Sequence, residues 1–281
     1  MRDIIAKARR AGIRRVTRYV YSDVYSKLRL VGKRMRYNYY AKNWGECRRN
    51  KKVLSQVRKS AKDDLSSKNP LISVPIPTWN RGRILTERTI PSVLRQTYQN
   101  FEIVIVGDHC TDNTEELLRK FNDKRIRFYN LPGRGEYPAN PYHRWMVAGA
   151  APAKKSLELS SGDWIAPLDD DDEFSEDHLE VLLDYALEHD YEMVYGITEM
   201  EIEPGKWVNV GSYPLKCGRI CRLSVLYHSK LKLFEGHTDN WKYEEPGDWN
   251  LWRRMKEAGV RIGFLDKVVG KHYLEKQRLG K

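Results

Sequence analysis

Residues 162–174 read GDWIAPLDDDDEF. The short apolar run over 164–168 has the character of a buried strand, and it ends in four adjacent aspartates, Asp169, Asp170, Asp171 and Asp172. Neighbouring carboxylates repel one another, so a fold keeps four of them where positive charge compensates. A divalent cation is the usual compensator, because hard oxygen ligands suit Mg²⁺ or Mn²⁺ and Mg²⁺ commonly adds substrate phosphates to its shell. The competing reading is a solvated acidic turn, with Ser175 or Asp177 capping a helix over 180–187. Position alone does not choose between them.

The segments around the aspartates do. Residues 71–77 form a short apolar strand closed by the turn TWNRG. Residues 84–97 suit a helix, with Pro91 marking a kinked start. The run FEIVIVG over 101–107 is continuously apolar and β-branched, as in a strand buried on both faces. A helix over 111–121 follows, with a Thr or Asp cap and an acidic first turn at Glu115 and Glu116. Residues 125–130 read as another strand, and 143–160 as helix interrupted at Pro152. Strand and helix alternating at this spacing predict an α/β domain with a parallel, doubly wound sheet. Ligands bind such sheets beyond the carboxyl ends of the strands. The polar clusters TWNR, GDHCTD and DDDD all fall there, which favours a site over a solvated turn.

The 281-residue chain is 41% apolar and 31% charged, enough for one α/β domain with an appendage. Its net charge of +12 is unevenly spread. Residues 1–68 hold 21 Lys/Arg against 5 Asp/Glu, whereas 69–281 hold 29 against 33. A strongly basic arm over 1–68 thus precedes a mildly acidic domain over 69–281. Four cysteines show no paired CxxC spacing; Cys217, Cys221 and His228 lack an evident fourth zinc ligand, so idle thiols in a reducing compartment are expected. No apolar stretch suits a signal peptide or a membrane span, which predicts a cytoplasmic protein.

The arm is patterned. Ile5, Ala8, Gly12, Val16, Tyr19, Val20, Val24, Leu28, Val31 and Met35 recur every three or four residues between Lys and Arg, the signature of a basic amphipathic helix over about 3–36. Tyr37, Tyr39, Tyr40 and Trp44 follow, and SSKNP over 66–70 reads as the linker. An anionic membrane surface is the first use considered, placing the chain peripherally at the inner face of the membrane. A helical contact within the chain or between copies is the second. Nucleic acid ranks well behind.

Three stretches, PIPTWNRG over 75–82, SVLRQTYQNFEIVIVGDHCTDNT over 92–114 and SSGDWIAPLDDDDEF over 160–174, resemble in order and spacing the nucleotide-sugar half of family-2 glycosyltransferases of the GT-A fold. The resemblance covers about residues 70–195 and weakens towards the end. It implies a Rossmann-like GT-A domain with a mostly parallel central sheet, a nucleotide-sugar half over 69–195 and an acceptor half over 196–281.

Carried over by position, Thr78 meets the nucleobase, with Asn80 and Arg81 as donor contacts in the same turn. Asp108 matches the acid that accepts the base N–H, where a loop or capping role would otherwise be preferred. Asp169 and Asp171 match the outer positions of the DxD motif; the resemblance implies ribose contact from Asp169 or Asp170 and metal coordination chiefly from Asp171, with Asp169. Asp172, the fourth aspartate, is read as supporting the metal ligands from behind. Asp248, in YEEPGDWNLWRRMKEAG, resembles the family's general base, ionised at a helix N-terminus; a plain N-cap is the competing reading, and Glu244 or Glu245 would substitute if the register is off. His272 sits where some relatives place a histidine near the metal, although a lone exposed histidine is commoner. Lys154 and Lys155 depart from an expected asparagine. Arg134 and His143 are further donor-contact candidates. Trp145, Trp249 and Trp252 are placed in the core by default, with sugar stacking as the alternative.

The resemblance implies an inverting glycosyltransferase dependent on Mn²⁺ or Mg²⁺. It would move a sugar from a nucleoside-diphosphate donor, UDP-sugar favoured, to a glycan or lipid-linked acceptor in cell-surface glycan assembly. The rivals are a catalytically silent glycan-binding or scaffold protein on the same fold and a sugar-1-phosphate nucleotidyltransferase. The latter needs a Gly-rich basic loop after the first strand, which PTWNRGR matches poorly.

Overall fold

The computed structural model describes residues 44–59, 69–234 and 236–274. The helix expected over 3–36, the tyrosines at 37, 39 and 40 and the start of the 66–70 linker lie outside them. The chain divides into a unit Met1–Glu46, of which only 44–46 are described, and a compact unit Cys47–Lys281.

Helix α1 (residues 44–59) runs from Cys47 onward in the second unit. Leu54, 2% exposed, enters the core, and Arg58 donates to both carboxylate oxygens of Glu192 at 2.7 and 2.5 Å. By composition this segment groups with the basic arm. One buried leucine and a two-point ion pair instead join it to the domain, so the boundary falls after residue 46, not after 68.

Strands β1 (Ile72–Thr78), β2 (Phe101–Gly107) and β3 (Ile126–Asn130) pair in parallel, and β1 also takes β4 (Trp164–Ile165) in parallel on its other side. Beyond β4 the sheet becomes mixed. The order is β3-β2-β1-β4-β8-β6-β9-β5, built with β5 (Glu173–Phe174), β6 (Met193–Glu203), β8 (Val225–His228) and β9 (Ile262–His272); β7 (Lys206–Val210) pairs with β6 alone. β6 and β9 are parallel, whereas β8 runs against both β4 and β6. The GT-A architecture is therefore present, with its parallel half first. The division expected at 195/196 falls inside β6 and is not a seam.

β4 is shorter than its apolar run. Ala166 and Leu168 still donate to the carbonyls of Ser73 and Pro75 at 2.9 and 3.3 Å. However, Pro75 has no N–H to return, so the ladder stops where the chain must turn into the aspartates.

Two cores lie against the sheet. On one face, Ile72, Val74, Ile76, Ile103 and Ile105 pack against α2 and α6. The stretch α2 comprises Gly82–Ile84, a π-turn Leu85–Thr89 and Ile90–Leu94, and contributes Leu85, Ile90 and Val93. Helix α3 (Thr114–Leu118) follows β2, with Glu115 and Glu116 in its first turn as expected. Helices α4 (Pro141–Val147) and α5 (Ala150–Leu159) are separated at Gly149, whose φ of +71° suits glycine; Pro152 lies harmlessly in the first turn of α5, not at the break. Helix α6 (His178–Glu188) buries Leu179, Leu182, Leu183 and Ala186. On the other face, Met193, Tyr195, Val225 and Tyr227 pack against Leu54 and against Leu251, Trp252 and Met255 of α7 (Gly247–Ala258).

Candidate active site

The turn after β4 is clamped from behind by the π-turn. The buried Thr89 hydroxyl lies 2.9 Å from the Asp170 carbonyl and 3.0 Å from that of Asp172, and Arg88 Nη1 donates to the Asp171 carbonyl at 2.9 Å. A π-turn carries one more residue than an α-turn, and such turns recur at functional sites. Here it puts two consecutive side chains on one loop.

The four aspartates then separate by partner. Arg81 Nη1 donates to Asp170 Oδ1 and Asp171 Oδ2, each at 3.0 Å. Asp172, 1% exposed, contacts His272 Nδ1 at 2.8 Å. Asp169 is the most open, its side chain 39% exposed, and Arg222 Nε lies 3.2 Å from its Oδ1. Burial pushes the Asp170 carboxyl up to about 7 against the opposing pull of Arg81. Burial would lower the His272 pKa, but the Asp172 bond and the negative charges nearby prevail and raise it to about 9. The expectation of His272 beside a metal thus meets a different arrangement: the partner it has is Asp172, which also explains how a fourth aspartate is tolerated.

Across the strand ends, Asp108 accepts from Gly135 N at 2.8 Å and from Tyr137 Oη at 2.7 Å. A carboxylate has about four acceptor positions, so capacity remains for a ligand N–H. Arg134 lies 3.3 Å over the Trp79 ring. Thr78 is buried near Asp170, and its Oγ1 makes no hydrogen bond of good geometry. Asn80 sits differently: its Oδ1 accepts from Thr111 N at 2.8 Å and its φ is +52°, so it staples two strand-end loops together and does not line the cavity.

Asp248 is the second residue of α7, and its Oδ1 accepts from Trp249 N at 2.7 Å. Burial raises its pKa, Trp249 N–H lowers it, Asp169 raises it and Arg222 lowers it. The helix terminus therefore does not set its ionisation unopposed, as the sequence reading supposed. Glu245 is buried on Asn250 and Arg253, with Nδ2 at 2.9 Å and Nη2 at 3.1 Å; it is a structural ion pair, while Glu244 is exposed.

A cavity of about 370 Å³ brings Thr78, Arg81, Asp108, Asp169, Asp170 and Asp171 together with Asp248 and His272. Arg222 lines it too, with Nε and Nη2 buried and making no hydrogen bond. Sequence reasoning missed this arginine. Arg134, Trp145 and Lys154 also line the cavity, whereas Lys155 pairs with Glu158 at 3.0 Å and His143 rests 4.7 Å from Trp241. Trp252 is buried and Trp249 packs on the core as expected; Trp145 is not a core residue, being 49% exposed.

The carboxylates fit a hard divalent cation. Oxygens of Asp170 and Asp171 already converge on one cationic nitrogen. Among the described residues no three His, Cys, Asp or Glu side chains group closely enough to hold an ion alone. No described helix is long and apolar enough to cross a membrane.

The family described as Glycosyl transferase family 2 matches residues 73–140 and 148–235. The UDP-Glc:alpha-D-GlcNAc-diphosphoundecaprenol beta-1,3-glucosyltransferase WfgD of Escherichia coli is 32% identical over 209 residues, covering 69% of this chain and 75% of WfgD. Glycosyltransferase GlyG of Streptococcus pneumoniae is 35% identical over 129 residues, covering 45% of this chain and 38% of GlyG. The chain spans well under half the length of several curated relatives, GlyG among them. Among solved structures, S. aureus TarS 1-349 in complex with UDP-GlcNAc superposes with a TM-score of 0.58 at 18% identity, over 75% of this chain and 59% of that one. The mannosyltransferase PcManGT of Pyrobaculum calidifontis, in complex with GDP-Man and Mn²⁺, gives 0.54 at 14% identity, over 88% and 70%. At these identities the likeness shows the shared fold.

Proposed function

The chain belongs to glycosyl transferase family 2, and from that footing we propose that it transfers a sugar, with inversion, from a UDP-sugar to a hydroxyl of a glycan or lipid-linked acceptor in cell-surface glycan assembly. The observation that carries the reading is the meeting of Asp248, the far-side carboxylate, with Asp108 and the aspartate turn in one cavity. The relatives support the chemistry: WfgD is named for a UDP-Glc donor and a diphosphoundecaprenol-linked acceptor, and TarS was solved with UDP-GlcNAc.

In this mechanism Asp108 accepts the base N–H, and Thr78, buried beside Asp170, meets the nucleotide. Asp169 or Asp170 takes the ribose. Asp171 and Asp169 would hold a divalent ion, which when bound neutralises charge on the departing diphosphate. Asp248 takes the proton of the acceptor hydroxyl as that oxygen bonds to the anomeric carbon and the bond to the diphosphate breaks. A carboxylate whose pKa lies above its usual range is a stronger base once ionised. Arg222 limits the rise. His272 and Arg81 compensate the remaining aspartates, and Asn80 keeps the loop shape.

The test is turnover of UDP-glucose, UDP-GlcNAc and GDP-mannose with Mn²⁺, read as nucleoside diphosphate release. Release from a UDP-sugar that vanishes in Asp171→Ala supports the reading; no release from any donor, or unchanged release in that variant, overturns it.

A further inference from the structure

The family match stops at residue 140 and resumes at 148, so the residues it skips are those of α4, Pro141–Val147. This helix is well made for its length. Asn140 Oδ1 accepts from Tyr142 N and His143 N at 2.9 and 3.1 Å, and Pro141 occupies the first turn. Met146 and Val147 are buried, but Tyr142 and Trp145 are 58% and 49% exposed.

Three residues apart, those two aromatics share a helix face. Their rings lie 20° from parallel with centroids 6.4 Å apart, a loose stack whose outer faces are open to solvent. Leaving two such rings in water forgoes their burial energy, so folding does not account for them. Their location does. Asn240 Nδ2 donates to Met146 O at 3.3 Å, and a side chain at Gly247 would stand 3.2 Å from the same carbonyl. Gly247 directly precedes Asp248, so the end of α4 lies against the start of α7. Trp145 and Asp248 line one cavity.

We infer that α4 is a sugar-binding platform, on which Tyr142 and Trp145 stack against the pyranose ring of the acceptor and hold its hydroxyl towards Asp248. A pyranose presents an apolar C–H face that matches a flat aromatic, while its hydroxyls stay at the rim. Trp145 stands in the cavity wall with Tyr142 beside it outside the lining, and Arg144 between them donates to the carbonyls of Pro138 and Ala139; the two exposed rings are themselves uncharged, which suits a neutral sugar. The inference rests on the reading of Asp248 as the base.

The experiment is saturation-transfer NMR on the full chain with methyl glycosides of glucose, galactose, mannose and N-acetylglucosamine, and separately with UDP. The expected result is transfer to the ring C–H protons of one or more glycosides, reduced fivefold or more in Trp145→Ala and in Tyr142→Ala, and kept in Trp145→Phe. The UDP signal stays within twofold throughout, which also certifies folding. No transfer to any glycoside, or equal transfer in wild type and both alanine variants, overturns the platform. So does equal loss of glycoside and UDP signals in both. Because UDP-sugar turnover is measured apart from glycoside contact, failure of the platform is told from failure of the transferase reading.

Discussion

Arg222 Nε lies 3.2 Å from Asp169 Oδ1 without forming a hydrogen bond, and its charge reaches Asp248 as well. One guanidinium thus serves a carboxylate of the donor motif and the proposed base. Arg222→Met removes the charge that opposes the rise of the Asp248 pKa. The base must be ionised to act, so the acidic limb of the pH–rate profile moves to higher pH. We expect transfer to fall more at pH 6 than at pH 9. Arg222→Lys keeps most of the profile. An unmoved acidic limb in the methionine variant would remove Arg222 from this role.

Asp248 and Glu245 are close in sequence and opposite in consequence. Asp248→Asn lowers kcat/KM by about 10² to 10⁴, the usual contribution of a general base, and leaves UDP affinity within twofold. Glu245→Gln instead leaves buried Arg253 without its full counter-charge. It costs stability, on the order of 3 kcal/mol, because breaking one side of a buried ion pair strands the other. Steady-state kinetics and urea unfolding on both variants separate the two outcomes.

Two truncations probe the arm. Deleting residues 1–43 abolishes flotation with anionic liposomes, if the basic segment is what meets the lipid, and leaves the unfolding midpoint of the domain in place. Deleting 1–68 also removes Leu54 and the Arg58–Glu192 pair. That second deletion lowers stability by roughly 2 to 5 kcal/mol from the leucine alone. Flotation unchanged in the shorter truncation would sink the membrane proposal.

His178 is fully buried, stacked on Phe174 at 3.6 Å, with Nδ1 2.7 Å from the Val269 carbonyl. Burial lowers its pKa to about 4, against the pull of that carbonyl. A depressed histidine pKa means that the unfolded chain takes up the proton first. Its contribution to stability is full above about pH 6.5 and drains away as pH falls towards 4, amounting to about 3 kcal/mol. Unfolding free energies at pH 7 and pH 4.5 should therefore converge more closely in His178→Asn than in the wild-type chain.

What the sequence disclosed and what it withheld follow from how far each signal reaches. FEIVIVG and the aspartate turn are local: an apolar run ending in charge marks a strand end wherever it occurs, and β2 and the cavity carboxylates lie where that rule puts them. Pro75 shortens β4 through a missing donor on a neighbouring strand 90 residues earlier in the chain, which no window around β4 contains. Arg222 precedes β8 in a short 3₁₀ turn with no periodicity to flag it, and its partner Asp169 is distant in sequence. Large aromatics usually belong in the core, and only the exposure of Trp145 on α4 sets it apart. Leu54 and Arg58 were hidden by the basic composition around them.

β9 begins at Ile262, four residues after α7 ends, and finishes at His272 on Asp172. Its partner β6 crosses residue 195, where the nucleotide and acceptor halves were expected to part. A chimera that grafts the acceptor half of one relative onto the nucleotide half of another must therefore break this strand pair or carry it whole. The platform proposed on α4 can instead be exchanged as a cassette between Asn140 and Gly149, where the sheet is not cut.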